Sequence, residues 1–242
     1  MKKIIIANWK MKLNLKESLS LYKKLAEKKE ILKNTIVICP DYLALSLIGS
    51  IFEKNRIVLG AQDSAATDFG ANTGEVSPFN LKTIGVKYVI LGHSERREHL
   101  HENSAIINNK IKAALKNKLI PVLCVGEKLI EKKAGNAKLI ITDQLKRALD
   151  GVVLKNNNLI IAYEPIWAIG SGKAIIPEEA EDMHQFIKSQ AVKILKKSVQ
   201  VIYGGSVDEK NVSLFSAQKN VDGFLVGGAS LKANDFIKIC LQ

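Results

Sequence analysis

The sequence predicts an α/β fold, a (β/α)8 barrel in which eight parallel strands are each followed by a helix. Eight short apolar runs rich in β-branched residues recur along the 242-residue chain, and each is nearly continuous in apolar character rather than alternating. Strands covered on both faces in a parallel sheet have this pattern. Segments with helical periodicity separate the runs. Eight such units in about 250 residues fit one closed barrel better than an open doubly wound sheet, so we expect a single domain over residues 1–242.

The predicted strands are short and evenly distributed from one end of the chain to the other. In order, they are IIIAN at 4–8, TIVIC at 35–39, IVLGA at 57–61, YVILG at 88–92, PVLCVG at 121–126, LIIAY at 159–163, VQVIY at 199–203 and GFLVG at 223–227.

The segments between the strands have the spacing of amphipathic helices. Around SLYKKLAEKK, we expect Leu19, Tyr22, Leu25 and Ala26 to face a core while the lysines stay in water. QAVKILKK repeats this mixture of apolar residues and lysines further along the chain.

A further helix is predicted to begin at Pro177, because proline is favoured in a first turn and two acidic residues follow it near the positive helix end. Its apolar residues recur at helical spacing. They are Ala180, Met183, Ile187, Ala191 and Ile194.

The net charge of +12 is compatible with three partners: nucleic acid, an anionic membrane surface, or a small anionic substrate. Most of the basic residues are lysines on helical segments, which favours solvated helix faces. The four arginines, Arg56, Arg96, Arg97 and Arg147, form no cluster with aromatic residues. We therefore expect no nucleic acid and no membrane as partners, although a basic protein that binds RNA or surfaces stays an alternative.

The composition favours a soluble, cytoplasmic protein. Asn8 and Lys10 interrupt the first apolar run before it reaches signal-peptide length, and no later run approaches the roughly 20 residues that span a membrane. Cys39, Cys124 and Cys240 are too few and too scattered for a disulfide framework or a CxxC metal site. Buried, reduced thiols are expected.

Polar residues follow several of the predicted strands, where a barrel places its active site. Asn8 and Lys10 follow the first strand, His93 the fourth and Glu164 the sixth. Ser206, Gly227 and Gly228 follow the last two strands. Each residue alone has a plainer interpretation, such as a solvated lysine or a turn glycine. Together they supply a base, a hydrogen-bond donor, an ammonium group and backbone amides for an anion, a set that suits proton transfer beside a carbonyl in a phosphorylated substrate.

Two other sequence patterns do not support a nucleotide site or a metal site. GSGK at 170–173 lacks the upstream glycine of a P-loop and is followed by alanine, so a nucleotide triphosphate site is not supported. His99 and His101 lie near His93 without any metal-ligand spacing. We expect no metal.

Six motifs carry a family resemblance that covers essentially the whole chain in order. They are NWK at 8–10, GHSERR at 92–97, CVGE at 124–127, AYEPIWAIGSGK at 162–173, YGGSV at 203–207 and GFLVGGASL at 223–231. Together they resemble the triosephosphate isomerase family. The resemblance implies a TIM barrel and the interconversion of dihydroxyacetone phosphate and D-glyceraldehyde 3-phosphate through an enediolate, without a cofactor, in glycolysis and gluconeogenesis. It also implies a homodimer. A different phosphate-binding barrel, such as an aldolase, is disfavoured because no lysine for a Schiff base ends the sixth run.

By the same resemblance, Glu164 is the base, and neutral His93 is the electrophile that donates to the carbonyl oxygen. Lys10 stabilises the developing negative charge and helps to hold the phosphate, while Asn8 donates a hydrogen bond to the substrate. Glu95 pairs with Lys10.

The phosphate site and its supports are assigned in the same way. Segment 165–173 resembles a closing loop whose Gly170 offers an amide to the phosphate, and Ser206, Gly227 and Gly228 complete the phosphate site. Ser171 stands where the family usually has threonine, a change that leaves the chemistry intact. Glu127 resembles a structural partner for Arg97.

Segment 62–79 resembles the family's projecting loop, whose Thr73 enters a neighbouring subunit near Asn8 and Lys10. Three residues depart from the usual pattern: Asp63 and Lys12 replace asparagine, and Asn72 replaces an aromatic residue. These changes are expected to place extra charge and polarity near the dimer contact.

Overall fold

Eight parallel strands close into one barrel in the computed structural model, which describes residues 2–28, 33–51, 57–156, 158–169 and 174–242. Neighbouring strands pair in sequence order, and β1 closes the barrel by pairing with β8. The strands are β1 Ile4–Asn8, β2 Thr35–Cys39, β3 Ile57–Ala61, β4 Tyr88–Leu91, β5 Ile120–Val125, β6 Ile160–Tyr163, β7 Gln200–Tyr203 and β8 Gly223–Val226. The predicted fold class and all eight predicted strands are confirmed, with ends that differ by at most one residue.

Helices follow every strand and cover the outside of the barrel. They are α1 Leu15–Ala26, α2 Tyr42–Ile51, α3 Pro78–Thr83, α4 Ser94–His99, α5 Ser104–Lys116, α6 Leu129–Lys133, α7 Ala137–Ala148, α8 Pro177–Leu195, α9 Val212–Ser216 and α10 Ala233–Cys240. Two helices follow β4 and two follow β5.

The helix predicted at Pro177 is confirmed as α8. Four of its five predicted core residues are buried, and Ile194 is half-buried against the core. In α1, Tyr22 and Leu25 are buried and Leu19 is half-buried, but the prediction for Ala26 was wrong. Ala26 is exposed because it lies in the last turn, one residue before the C-cap, and Leu21 packs on the core instead.

Alternating residues of the strands divide the core into two layers. One set, which includes Ile5 and Ala7, packs against the surrounding helices. The other set fills the barrel interior and includes Ile4, Ile6 and Val37. Side chains of a strand alternate between its two faces, so every second residue faces the barrel interior. The residue that continues this inward-facing set at the C-terminal end of a strand points to the mouth of the barrel. This geometry determines which polar residues can meet there.

The three cysteines are buried free thiols, as predicted. Cys39 and Cys124 belong to the barrel interior, and Cys240 packs between α10 and the barrel. Burial raises the pKa of each thiol above its usual value, and the Glu164 carboxylate adds to that increase at Cys124. In the described part of the chain, no helix combines the length and hydropathy that crossing a membrane requires.

Segment 62–79 leaves the barrel at the end of β3 and is anchored by a cluster of buried charges. The Lys110 ammonium lies 2.7 Å from Asp63 Oδ2 and 2.5 Å from Glu102 Oε1. Arg96 Nη2 lies 2.8 Å from the same Asp63 oxygen. The Asp63 carboxylate is thus buried and paired within its own chain, so Lys110 and Arg96 balance the charge that was expected from it near the dimer contact. Lys12 is exposed, in contrast.

Candidate active site

A cavity of about 250 Å³ opens at the C-terminal ends of the strands. Asn8, Glu164 and Gly227 reach its wall because each lies two residues after an inward-facing residue of its strand. Lys10, His93, Ser206 and Gly228 come from the following loops. The complete lining is Asn8, Lys10, His93, Glu164, Ile169, Gly204, Gly205, Ser206, Val207, Asp208, Leu225, Gly227, Gly228 and Ala229. Apart from Gly170, the predicted catalytic and substrate-binding residues lie together at this cavity.

Glu164 follows β6 directly and is only 2% exposed. Its Oε1 lies 3.2 Å from His93 Nε2, and its Oε2 accepts the backbone N–H of Ser94 at 3.2 Å. Two glycines allow the chain to pack this closely: a Cβ at Gly126 would lie 1.7 Å from the Glu164 carbonyl oxygen, and one at Gly204 would lie 2.9 Å from Glu164 Cγ. The carboxylate is therefore held in one position, in a part of the cavity wall that is almost fully buried.

His93 is the N-cap of α4, and its ring has defined hydrogen-bond roles. Nδ1 accepts the backbone N–H of Glu95 at 3.2 Å, so Nδ1 carries no proton. In a neutral ring the proton then lies on Nε2, the atom that faces Glu164. This arrangement presents an N–H donor next to a carboxylate.

Lys10 lies after β1 in a left-handed backbone conformation, with φ of 52°. Its backbone N–H donates to Asn8 Oδ1 at 3.1 Å, and its ammonium lies 2.5 Å from Glu95 Oε1. Burial of the Glu95 carboxyl raises its pKa, but the hydrogen bond from Lys10 and the nearby His93 outweigh burial, so the net pKa is lowered. A cationic side chain is thus directed along the cavity wall.

Glycine residues and the loop after β7 form another part of the cavity wall. Gly227 lies close to the Lys10 side chain, with 3.6 Å between Lys10 Cε and a Cβ built on the glycine, and Gly228 has open space in front of it. Ser206 Oγ donates to the Ala168 carbonyl at 2.6 Å. The Asp208 carboxylate accepts the N–H groups of Lys210 and Asn211, which draws its charge toward its own turn.

The closing loop is described in part. Residues Ile166–Ala168 form a 3₁₀ turn, and Ile169 lines the cavity. Gly170, Ser171 and the rest of 170–173 lie outside the described residues.

The predicted pairing of Glu127 with Arg97 was wrong. Glu127 Oε1 accepts the Trp167 indole N–H at 2.9 Å and the Tyr163 hydroxyl at 3.2 Å. Arg97 instead donates to the carbonyl oxygens of Gly92 and Cys124, at 2.8 and 3.1 Å. The two side chains separate because Arg97 extends from α4 to the ends of β4 and β5, whereas Glu127 contacts Tyr163 of β6. Glu127 therefore supports the start of the closing loop.

Thr73 lies away from the cavity, exposed on segment 62–79. The sequence reasoning also missed contacts made by backbone atoms and amides, such as the Ser94 N–H on Glu164 and the side chain of Gln62, which donates to the Lys10 carbonyl at 2.9 Å. A backbone donor has no residue-type signature. One feature of the sequence could have indicated Gln62: it lies two residues after Gly60 of β3 and so continues the inward-facing set of that strand.

In the part of the chain that the structure describes, no three His, Cys, Asp or Glu side chains group in a way that could hold a metal ion. The chemical groups present are a buried carboxylate, an imidazole N–H, an ammonium and the backbone of glycine residues. They can accept a proton, donate to an oxygen and hold an anion.

A barrel with this set of groups at one mouth belongs to the class of enzymes that move protons on small anionic substrates. Comparison with known proteins narrows the class. A sequence model of the family described as "Triosephosphate isomerase" matches residues 3–242, and the chain belongs to the triosephosphate isomerase family.

Three relatives carry the name triosephosphate isomerase. The protein from Dehalococcoides mccartyi (strain CBDB1) is 45% identical over 248 aligned positions, covering 100% of this chain and 97% of the relative. The protein from Thermoanaerobacter pseudethanolicus is 40% identical, covering 98% and 97%, and that from Clostridium tetani is 42% identical, covering 98% and 95%.

Proposed function

We propose that this protein interconverts dihydroxyacetone phosphate and D-glyceraldehyde 3-phosphate, the triosephosphate isomerase reaction of glycolysis and gluconeogenesis. The observation that carries the proposal is the buried pair of Glu164 and His93 in the wall of a cavity that also contains Lys10 and a glycine-lined end. Family membership over residues 3–242 supports the same reaction.

The proton transfers follow from the two side chains. The Glu164 carboxylate takes the proton from C1 of dihydroxyacetone phosphate, and the electron pair of that C–H bond forms the C1–C2 double bond of an enediolate. His93 Nε2–H donates to the carbonyl oxygen at C2, and the ring moves the hydroxyl proton between the two oxygens. Glu164 then returns its proton to C2, which gives the aldehyde. Atoms balance without a cofactor, since substrate and product are isomers.

The Lys10 ammonium serves both the developing charge and the phosphate. With the Asn8 amide it faces the substrate oxygens, where negative charge increases in the transition state, and it also helps to hold the phosphate. The phosphate occupies the end lined by Ser206, Gly227 and Gly228, with the Gly170 amide added from the closing loop. Glu95 positions the Lys10 ammonium through their ion pair.

Closure of 165–173 over the cavity excludes water, which protects the enediolate and strengthens these interactions. In the described structure, Glu127 holds Trp167 at the start of this loop, and Ser206 bonds to Ala168. Arg97 supports the ends of β4 and β5 through its hydrogen bonds to the carbonyl oxygens of Gly92 and Cys124.

We further propose that the protein acts as a cytoplasmic homodimer in which Thr73 of segment 62–79 contacts the second copy. Exposed apolar side chains support the proposal, since a second copy would cover them: Met11 is 92% exposed and Phe69 of the segment is 72% exposed. Sedimentation at graded protein concentrations tests this state, and a single monomeric species at micromolar concentration would argue against it.

The reaction is tested by steady-state isomerisation in both directions with wild-type protein, Glu164→Gln and Glu209→Gln. The amide of Glu164→Gln cannot accept the proton, so kcat is expected to fall by about 100- to 10,000-fold with circular dichroism unchanged. Glu209→Gln removes a carboxylate that pairs with Lys238 outside the barrel, and it should keep wild-type activity. Absence of turnover by folded wild-type protein would refute the proposal.

A further inference from the structure

A second cavity, of about 780 Å³, lies where the start of α5 meets the last turns of α7. We call it the α5–α7 cavity. Its volume is in the range of sites that bind small organic molecules. The charged and hydroxyl side chains in its lining are Arg97, Ser104, Asp143, Lys146, Arg147 and Asp150. None of them lines the cavity of the candidate active site, so the two cavities have separate walls.

Arg97 is the half-buried cation of the α5–α7 cavity. Its Nε and Nη2 donate to the carbonyl oxygens of Gly92 and Cys124, at 2.8 and 3.1 Å. Its Nη1 lies 3.4 Å from Ser104 Oγ, a long hydrogen bond to another residue of the cavity wall. In the part of the chain that the structure describes, no carboxylate forms an ion pair with this guanidinium. Carbonyl and hydroxyl dipoles are its direct partners.

The chain compensates the charge of Arg97 only in part. Burial lowers the pKa of this side chain, and the nearby Cys124, Glu164 and Glu102 oppose the decrease without cancelling it. A half-buried guanidinium stays charged, and a carboxylate or phosphate is the partner that matches its donors. An anion at Nη1 would therefore supply the counter-charge that the surrounding residues lack.

The carboxylates of the cavity lining leave this position open. Asp143 Oδ1 accepts the Arg147 Nε–H at 2.8 Å, so these two charges pair with each other along α7. Asp150 is exposed, and within the described ranges it forms no side-chain ion pair. Lys146 is also exposed and adds an ammonium to the wall. Two cations, Arg97 and Lys146, thus face one unpaired carboxylate in the lining.

We propose that the α5–α7 cavity is a binding site for a small organic anion, whose carboxylate or phosphate group contacts Arg97 Nη1 and Ser104 Oγ. Lys146 and the positive end of α5, which begins at Ser104, add to the attraction. The cavity is larger than a lone inorganic ion, so the rest of the ligand has room beside the charged group. This site is distinct from the active site and does not depend on the isomerase reaction.

Backbone amide NMR of the full chain tests the site, with malonate and inorganic phosphate added in separate titrations. The amides of residues 103–105 report the α5–α7 cavity, whereas those of Gly227 and Gly228 report the active site. We expect saturable shifts at 103–105 in the millimolar range of at least one anion. Tighter binding of malonate identifies a carboxylic acid as the ligand class, and tighter binding of phosphate identifies a phosphate ester.

Two pairs of variants separate charge from shape. Ser104→Asp places a carboxylate beside Arg97 Nη1 and should abolish binding at 103–105, while the neutral Ser104→Asn should keep it within a factor of about two. Lys146→Gln should weaken binding several-fold. Lys23→Gln removes an exposed lysine of α1, away from the cavity, and should leave the affinity unchanged. Arg97 is not substituted because it also lines a small cavity next to Glu164.

Absence of saturable shifts at 103–105 in the wild type would overturn the site. Wild-type affinity in Ser104→Asp would overturn it as well, and so would equal losses in Ser104→Asp and Ser104→Asn or in Lys146→Gln and Lys23→Gln. Circular dichroism establishes that each variant is folded, and the exposed Lys146 can be replaced without disturbing the core. No readout needs turnover, so failure of the isomerase proposal would leave this test unchanged.

Discussion

Asp63 is a buried carboxylate that shares its cations with a second acid. Lys110 and Arg96 both contact Asp63 Oδ2, and both also contact Glu102 Oε1. Burial raises the pKa of Asp63 to about 6, although Lys110 and Arg96 oppose the increase. Burial also acts on Glu102, but there the hydrogen bonds from Arg96 and Lys110 prevail and the pKa is lowered. Asp63 is therefore the acid of this cluster that takes a proton first.

A pH-dependent stability follows from Asp63. Because its folded pKa lies above the usual 3.8, the folded protein binds this proton more tightly than the unfolded chain. Burial of the ionised Asp63 carboxylate lowers the free energy of unfolding. This destabilisation is absent below about pH 4 and complete above about pH 6. In Asp63→Asn, the free energy of unfolding relative to wild type should therefore rise by about 2–3 kcal/mol between pH 4 and pH 7, measured by urea denaturation.

Ser64→Ala is the control for this comparison. It changes the adjacent buried polar residue without removing a titrating group, so its effect should be equal at every pH. A flat or falling difference for Asp63→Asn would contradict the assignment of the proton to Asp63.

Single residues show where sequence reasoning reaches its limit at the site. Glu164, His93 and Lys10 could be proposed because each follows a strand whose end is visible in the sequence. The partner of Glu127 could not, because Trp167 and Arg97 lie at similar distances along the chain and only the direction of each side chain separates them. The burial and pairing of Asp63 could not be predicted, because nothing in its sequence neighbourhood reveals Lys110, 47 residues away.

At the scale of elements, helix ends differ in how well their backbone N–H groups are satisfied. Asn103 caps α5 through Oδ1, which accepts the N–H groups of Ala105 and Ile106 at 3.0 Å each. Asn136 occupies the same position in α7 but makes no side-chain cap hydrogen bond. The two asparagines form a natural pair for measuring the value of a cap in this fold.

Asn103→Ala should cost about 1 kcal/mol and lower Tm by about 2–4 °C, because two N–H groups lose their acceptor. Asn136→Ala should change Tm much less. Thermal melts followed by circular dichroism measure both, and isomerase activity at 25 °C should be unchanged in each. Equal losses in the two variants would show that the Asn103 cap adds nothing to stability.

The strands were easier to predict than the helix faces. A strand buried on both sides is marked by a continuous apolar run, and all eight runs became strands. A helix face depends on the position of the last turn relative to the core, and Ala26 was misplaced for that reason. The extra helices after β4 and β5 were also not predicted, since short helices have too few residues to show a period.

At the scale of the whole molecule, 36 basic and 24 acidic residues leave a net charge of +12. The lysines of α1 that follow Tyr22 are exposed, which agrees with solvated helix faces. A positive surface attracts a phosphorylated substrate from a distance and raises its rate of encounter, and added salt screens this attraction.

For the isomerase reaction, kcat/KM should therefore fall several-fold as ionic strength rises from about 20 to 200 mM, while kcat changes little. Steady-state kinetics in sodium chloride, with viscosity held constant, measure the effect. A kcat/KM that is independent of salt would contradict steering. Strong salt-dependent binding of a random RNA would instead revive the basic binding protein as a second role.

The three buried thiols have a consequence for how opening of this protein can be observed. A cysteine reacts with a thiol reagent only as the thiolate and only when the reagent can reach it. Burial prevents access to Cys39, Cys124 and Cys240 and also raises the pKa of each thiol. The labelling rate of each cysteine therefore reports how often its surroundings unfold. Cys240 reports detachment of the last helix, whereas Cys39 and Cys124 report rupture of the barrel itself. The native sequence thus contains reporters for two levels of unfolding without any added probe.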